Sequence, residues 1–484
     1  MEKQDVDGQA VLESLSGRIL NTRYEDIDSE TIANTKTRLW DTIGDALGAV
    51  LLPDIQALVE LVKGWEGKQE ATILGYGAKV PVQDAAFVNC TLCRGFDRGP
   101  LAYTFQGRVV PHHVSETTVL TALTLGESKA VDGKELMTSM ILGDDLAARI
   151  HLANDRPLPG EMRTGSDSKG PAQSPAPRMM TMLPSETFGA AAIAGRMLGL
   201  DLNKMKNTLC LVGRTEGFGG GIWDGSPTFK IGQGNFARSG IMAALLAKAG
   251  WNGAVDPFFG TTGFGPGSSS SDRYDHPELL VGDLGNTFYV ETQFKRYLGG
   301  GPTQGPIEAA LTLVNTHKFK PDEIEEAILY TSPGVATGLH YARPYKVGDY
   351  PTGDALFSYK YAVASALARG TSGNQDYMPE AVKDPVVQEM IGKVTLELAK
   401  LNKTEGIELE VKLKDGKSYS QYVPRLQMNY SDPSDRKKLV DKYYEQMEFS
   451  GLIDRGQAEK IFDMVENLEK VENVADIVNL TLKK

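Results

Sequence analysis

In the segment ANTKTRLWDTIGDALGAVLL, Leu39, Ile43, Leu47 and Val50 recur at three- and four-residue intervals and so share one side of a helix. Gly44 and Gly48 lie on that side one turn apart, where small residues let a second helix approach closely; packing, not ligand contact, is their expected use. SETFGAAAIAGRMLGLD over 185–201 and FARSGIMAALLAKAGWNG over 236–253 have the same small, apolar character and predict further core helices. Residues 154–178 are so rich in Pro, Gly and Ser that they predict a long surface loop, and GTTGFGPGSSSSDRYD over 260–275 predicts a domain boundary.

Beyond that boundary the apolar period changes to two. EIEEAILYTS (323–332), VTLELA (394–399) and IELEVKL (407–413) read as strands, the last alternating Ile407, Leu409, Val411 and Leu413 with charged residues. Asp415 and Gly416 supply a tight turn before SYSQYV. Asp432 followed by Pro433 starts a helix whose Leu439, Tyr443 and Met447 fall on one face. The pattern predicts a helical body, an inserted α+β domain over about 275–430, and a terminal pair of helices.

A chain of 484 residues, 41% hydrophobic, can build two or three domains with real cores. Its 63 acidic and 51 basic residues leave a formal charge of −12, which gives no broad cationic field for nucleic acid or an anionic membrane surface; neither partner is expected. Residues 1–10 lack the charged start and apolar stretch of a secretory signal, and ALGAVLL at 46–52 is too short to span a bilayer, so a cytoplasmic address is expected. Cys90, Cys93 and Cys210 are sparse and odd in number, which fits a reducing compartment. The one CxxC has neither a second pair nor histidines at ligand spacing, so packing in a helix is expected there and a metal site is not.

Candidate chemistry is confined to a few places. The glycine run GRTEGFGGGIWDG over 213–225 follows no strand and contains neither GxGxxG nor GxxxxGK[ST]; it reads as backbone turning tightly beside a cleft. His112 and His113 are adjacent in VVPHHVSETTVL, sixteen residues after Asp97 in a polar, glycine-punctuated stretch, which points to a general acid or base against the alternative of a structural histidine. Lys230, in TFKIGQGNFARSG, precedes a glycine-containing turn and then a helix. It can hold a carboxylate at the helix N-terminus or stand as a solvated lysine. No GxSxG elbow is present, so covalent hydrolysis has no support.

Six stretches, taken in order and spacing, resemble the MmgE/PrpD family of 2-methylcitrate dehydratases, cis-aconitate decarboxylases and iminodisuccinate epimerases. They are RLWDTIGDALGA (38–49), ATILGYGAKVPVQDAAFVNCTLCRGFD (71–97), HVSETTVLTALTLGE (113–127), GDDLAARI (143–150), TFGAAAIAGRMLGLD (187–201) and KIGQGNFARSGIMAALLAKAGWNG (230–253). The resemblance implies a mainly α fold: a large all-helical domain over 1–274, a smaller inserted α+β lid domain over 275–430, and C-terminal helices over 431–484 that complete the helical domain. It also implies a homodimer, no cofactor and no metal. The implied reaction is proton transfer at carbon beside a carboxylate of a small-molecule polycarboxylate, first of all as a 2-methylcitrate dehydratase-like hydro-lyase. A decarboxylase or epimerase of a related acid, and a noncatalytic organic-acid-binding homologue, are the alternatives.

Carried over by motif, the catalytic residues are Asp97, His113 and Lys230, with Tyr341 or its neighbour His340 for a lid tyrosine; Ser115, two after His113, joins the substrate-binding set. Lys295 and Arg343 are the cations that a closing lid would bring to substrate carboxylates, arginine as a bidentate fork and lysine as a point charge. The chain departs from the family in three places. After Asp97 stand Arg98, Gly99, Pro100 and Leu101; a second family histidine falls near Met180; and a lid histidine falls in the glycine run of YLGGGPTQGPIEAA over 297–310.

Overall fold

The computed structural model describes residues 7–105, 108–111, 113–154, 185–215, 225–253, 256–259, 276–333, 335, 340–424 and 428–483. The loop expected at 154–178 (all but its first residue), the break expected at 260–275, most of the glycine run and His112 lie outside the described residues.

The three-and-four period of the first half folds as helices: α1 (Gly8–Asn21), α2 (Ser29–Gly48), α3 (Pro53–Lys63), α4 (Val82–Cys93), α5 (Val114–Lys129), α6 (Gly133–Asn154), α7 (Ser185–Met197), α8 (Leu202–Thr215) and α9 (Ile231–Lys248). Acidic N-caps start the first two, Asp7 accepting from the Gln9 N–H and Asp28 from the Thr31 N–H. Helix α7 packs against α5, α6, α8 and α9. Its run of Gly and Ala is what a helix buried on all sides requires. The glycine face of α2 meets a C-terminal helix, as the small-residue spacing predicted: a Cβ on Gly44 would lie 3.2 Å from Tyr443, and one on Gly48 2.5 Å from Gln446.

Two small sheets come next. Strands β1 (Ala71–Thr72) and β2 (Lys79–Val80) form a hairpin; β3 (Ala102–Phe105), β4 (Arg108–Pro111) and β5 (Thr292–Gln293) form a sheet ordered β4-β3-β5. The second of these ties the stretch between Asp97 and His113 to the later half of the chain, with the Leu101 N–H donating to the Gln293 carbonyl at 3.0 Å.

The later half follows the alternation read in the sequence. It runs α10 (Gly301–His317), β6 (Ile324–Thr331), α11 (Pro351–Leu356), α12 (Tyr359–Arg369), α13 (Pro379–Val382), α14 (Pro385–Gly392), β7 (Val394–Glu397), β8 (Ile407–Leu413) and β9 (Ser418–Val423). The sheet order is β7-β6-β8-β9, with β6 and β7 parallel and the other pairs antiparallel. On β8 the buried positions are Ile407, Leu409, Val411 and Leu413, and α10 packs on β8 and β9.

Helices α15 (Pro433–Ser450), α16 (Arg455–Glu466) and α17 (Ala475–Leu480) end the chain. Asp432 caps α15 by accepting from the Ser434 and Asp435 N–H groups. Tyr443 of α15 meets Trp40 of α2 edge-on at 5.9 Å, and buried Lys442 lies 2.8 Å from Asp41 and 3.2 Å from Asp45. One apolar core therefore includes residues from Val11 to Val478, so the chain's end stabilises its beginning.

Candidate active site

The site begins where α4 ends. Arg94 is the C-cap of α4, and three residues on the chain turns through Asp97, whose φ of 49° is the left-handed region that aspartate visits more readily than most residues. That turn aims both side chains at one point, with Arg94 Nη1 2.6 Å from Asp97 Oδ1. Helix α5 packs on α4 and starts at the same place. His113 is its N-cap, not part of the glycine-punctuated loop expected, and Glu116 lies in its first turn.

Arg94 Nη1 is shared among all three. It is 2.7 Å from His113 Nδ1 and 3.0 and 3.2 Å from the two Glu116 oxygens, besides Asp97. A second cation, Lys295, backs Asp97: its Nζ is 2.9 Å from Oδ1, donates also to the Asp97 carbonyl, and reaches the Gly299 carbonyl at 3.3 Å. The three N–H donors of that ammonium are thereby engaged. Lys295 is 1% exposed, so the structure makes it the counter-charge of Asp97, and the sequence expectation of a lid cation reaching for substrate does not describe its contacts. Arg98, next in the chain, turns away and bonds the Arg296 carbonyl at 2.8 Å and Asn374 at 2.9 Å.

Burial and these charges set the protonation pattern. Burial pushes the Asp97 carboxyl up, but Arg94 and Lys295 outweigh it and hold the group at about 2. Glu116 is likewise held below the ordinary range against its burial, by Arg94 above all. His113 is pushed down by burial and by Arg94. Glu186, in the first turn of α7, goes the other way: burial lifts it to about 7, and Arg94 and Glu116 are among the charges it feels.

The ligand atoms of Asp97, His113 and Glu116 lie within 4.8 Å of one another, a spacing that suits a metal ion. Arg94 Nη1 already contacts all three, so the guanidinium supplies the positive charge that an ion would bring.

Tyr341 is the contribution of the later half. It is buried, its ring centroid 5.6 Å from Tyr359 and 5.9 Å from Phe357, and its hydroxyl rests on Gly300, where a Cβ would collide with the oxygen. Only glycine leaves that room. Burial and then the Asp97 charge drive the phenol well above its usual range, so it is protonated.

Lys230 is placed differently from the expectation. The glycines after it form no separate turn: a 3-10 turn, Pro227–Lys230, leads straight into α9, with Lys230 as its N-cap. The lysine is 1% exposed and 2.8 Å from Asp54 Oδ2. Burial lowers its pKa against the pull of Asp54. The Phe229 ring lies 5.9 Å from Lys230 Nζ and 5.9 Å from Arg94 Cζ, so the two cations share a wall without touching. Phe229 meets Phe357 edge-on at 5.0 Å, which links that wall to Tyr341. Ser115 is buried in the first turn of α5 between His113 and Glu116, while Arg343 is exposed beside His340 and outside the cluster. Cys90 and Cys93 lie buried in α4 as expected; burial pushes the Cys90 thiol to about 12.

Arg94, Glu116 and Glu186 were not singled out from the sequence. The signal was there: Arg94 stands three residues before Asp97, Glu116 three after His113, and Glu186 is the acidic residue opening a helix whose next eight residues are small or apolar. The raised Glu186 pKa has a measurable consequence. Its neutral form contributes stability that is fully present below the ordinary value of 4.5 and lost as pH rises through about 7. Glu186→Gln is therefore expected to flatten the decline in melting temperature between those values relative to wild type. Asp41, raised in the same direction, keeps its own share of the decline in both proteins.

Sequence comparison agrees with this architecture. The MmgE/PrpD N-terminal domain matches residues 13–276, and the MmgE/PrpD C-terminal domain matches residues 300–470. Cis-aconitate decarboxylase of Mus musculus is 23% identical over 491 residues, covering 98% of this chain and 93% of that protein. The Homo sapiens cis-aconitate decarboxylase is 23% identical, covering 98% of this chain and 94% of its own. That of Aspergillus terreus is 22% identical over 512 residues, 99% of this chain and 98% of its own. Matched by both halves of the family over nearly its whole length and folded as that resemblance implied, this chain belongs to the MmgE/PrpD family.

Proposed function

We propose that this protein is a lyase that decarboxylates a small polycarboxylate of the cis-aconitate kind without a cofactor. The observation that carries the reading is the protonation pattern around Arg94. Asp97 and Glu116 are held ionised and are bound to cations, whereas Tyr341 is held protonated and Glu186 titrates near neutrality. Such a site holds fixed cations matched by carboxylates, with proton donors beside them. Decarboxylation asks for that combination: the bond from carbon to the leaving carboxylate breaks, its electron pair stays on carbon as CO2 departs, and a proton from the site then fills the position. Cations that stand ready where charge develops lower that barrier. Dehydration begins instead with a base near its working pKa removing a proton from carbon; the two carboxylates paired with Arg94 are poor bases, and Glu186, though near that pKa, would have to serve alone.

Within this reading His113 meets the substrate at the point where charge develops. Tyr341, beside Asp97, donates the proton. Lys230, with Arg94 across Phe229, faces the remaining carboxylates, and Ser115 lies next to them in the first turn of α5. The similarity of the chain to cis-aconitate decarboxylases over nearly its whole length supports a tricarboxylate as substrate.

A thermal-shift panel of di- and tricarboxylates tests the reading, because a ligand that binds only the folded state stabilises it by about 2.7 kcal/mol at a hundred times its Kd. Cis-aconitate or a close tricarboxylate is expected to raise the melting temperature, and equally so in the presence of a chelator. A panel without a shift would sink the proposal, and a shift that vanishes on chelation would overturn its metal-free part.

A further inference from the structure

We propose that Arg94 locks His113 as a neutral imidazole whose proton is on Nε2, so that His113 acts by donating a hydrogen bond to developing negative charge and not by accepting a proton. The geometry decides between two arrangements. Arg94 Nη1 lies 2.7 Å from His113 Nδ1, whereas the nearest Glu116 oxygen is 3.5 Å from that nitrogen. A guanidinium has donors only, so a ring nitrogen at 2.7 Å from it must present a lone pair. A proton on Nδ1 would set two N–H donors against each other at that distance. The longer contact is much the weaker of the two, so Arg94 and not Glu116 sets the tautomer.

A second feature points the same way. His113 is the N-cap of α5, a helix of sixteen residues, and the positive end of a helix disfavours an imidazolium. The charged groups around the ring are Arg94 from the end of α4, Asp97 from the turn after it, and Glu116 from α5 itself. Lys295 stands behind Asp97, and Glu186 of α7 feels Arg94 and Glu116. Arg94 bridges both nearer carboxylates, so their pull on a proton at Nδ1 is met by the guanidinium. A fifth of the His113 side chain stays exposed. With Nδ1 turned to Arg94, the opposite ring nitrogen carries the remaining donor. A neutral imidazole used as an electrophile in this way has precedent in isomerases whose histidine sits at a helix N-terminus. In this arrangement Arg94 is a positioning residue, and His113 is the group that touches substrate.

The inference rests on the proposed lyase reading only for the identity of the charge that His113 meets. Nitrogen NMR of the full-length protein labelled at its six histidines reads the tautomer without any turnover, with the His113→Gln variant identifying the resonance. The expected spectrum has an unprotonated Nδ1 and a protonated Nε2 that stay unchanged across about pH 6 to 8, where a free histidine titrates. A protonated Nδ1, or an imidazolium that titrates near the ordinary value, would overturn the proposal.

The second arm uses the reach of an amide. The Gln side-chain N–H can stand where Nε2–H stands, but it cannot accept and return a proton. His113→Gln is expected to turn over at least about 10-fold faster than His113→Asn, because loss of a donor to developing charge costs about 10²- to 10³-fold. A folded His113→Gln protein as inactive as the His113→Asn protein would overturn the donor role. If the tautomer is as described and no polycarboxylate is turned over, the lyase reading fails and the Arg94 lock stands.

Discussion

His113→Asn is expected to lower turnover about 10²-fold or more while leaving the protein folded. The two halves of that expectation have separate causes. Asparagine is among the best N-cap residues, so at the start of α5 it satisfies the backbone at least as well as histidine does. Its amide is too short to reach the position of Nε2, and the group that meets developing charge is lost. Steady-state kinetics with the substrate found by the carboxylate panel, beside a melting curve, separates chemistry from folding. His112→Asn is the control and is expected to cost little, because the motif carried over from the family falls on His113. A His113→Asn protein that melts normally and turns over at the wild-type rate would remove His113 from the reaction.

Arg94→Met is expected to cost about 3–5 kcal/mol of stability, because it strands two buried carboxylates that share one guanidinium. Lys295 still serves Asp97, so the larger share of the penalty falls on Glu116, whose other neighbour is a neutral ring. Adding Glu116→Gln should return much of the loss, since a neutral amide in that place needs no counter-charge. The pair forms a double-mutant cycle with a coupling well outside the few tenths of a kcal/mol expected for independent sites. Denaturant unfolding gives the numbers. Additive losses would mean that the contact between Arg94 and Glu116 contributes nothing of its own.

The contrast between these two residues shows what the sequence could and could not tell. Ile407, Leu409, Val411 and Leu413 alternate because one face of β8 is buried, and Asp432 caps because the next residues offer free N–H groups; both follow from local period and local chemistry. Gly44 and Gly48 announced a close helix without saying which, and the partner proved to be α15, some 400 residues on.

Site residues followed the same division. Asp97 and His113 stood out through motif resemblance, and the structure brings them together through Arg94. Arg94, Glu116 and Glu186 carry no pattern by themselves, since a buried ion pair depends on where three helices converge and one chain's spacing does not report that. Lys295 was read as a cation that a closing lid would bring to substrate carboxylates, because nothing local in the sequence ties it to Asp97. Its burial under Asp97 comes from the sheet that joins β3 to β5, a contact nearly 190 residues apart in the chain.

The claim that the site loses CO2 and then adds a proton is tested most directly by NMR in heavy water with cis-aconitate as substrate and a chelator present. The expected product lacks one carboxylate and carries one deuterium on carbon for each CO2 released, and its appearance slows about 10²-fold in His113→Asn. Hydration or dehydration of the acid, or exchange of its C–H for deuterium with no CO2 released, would contradict decarboxylation and return the site to the hydro-lyase or isomerase chemistry that its sequence first implied.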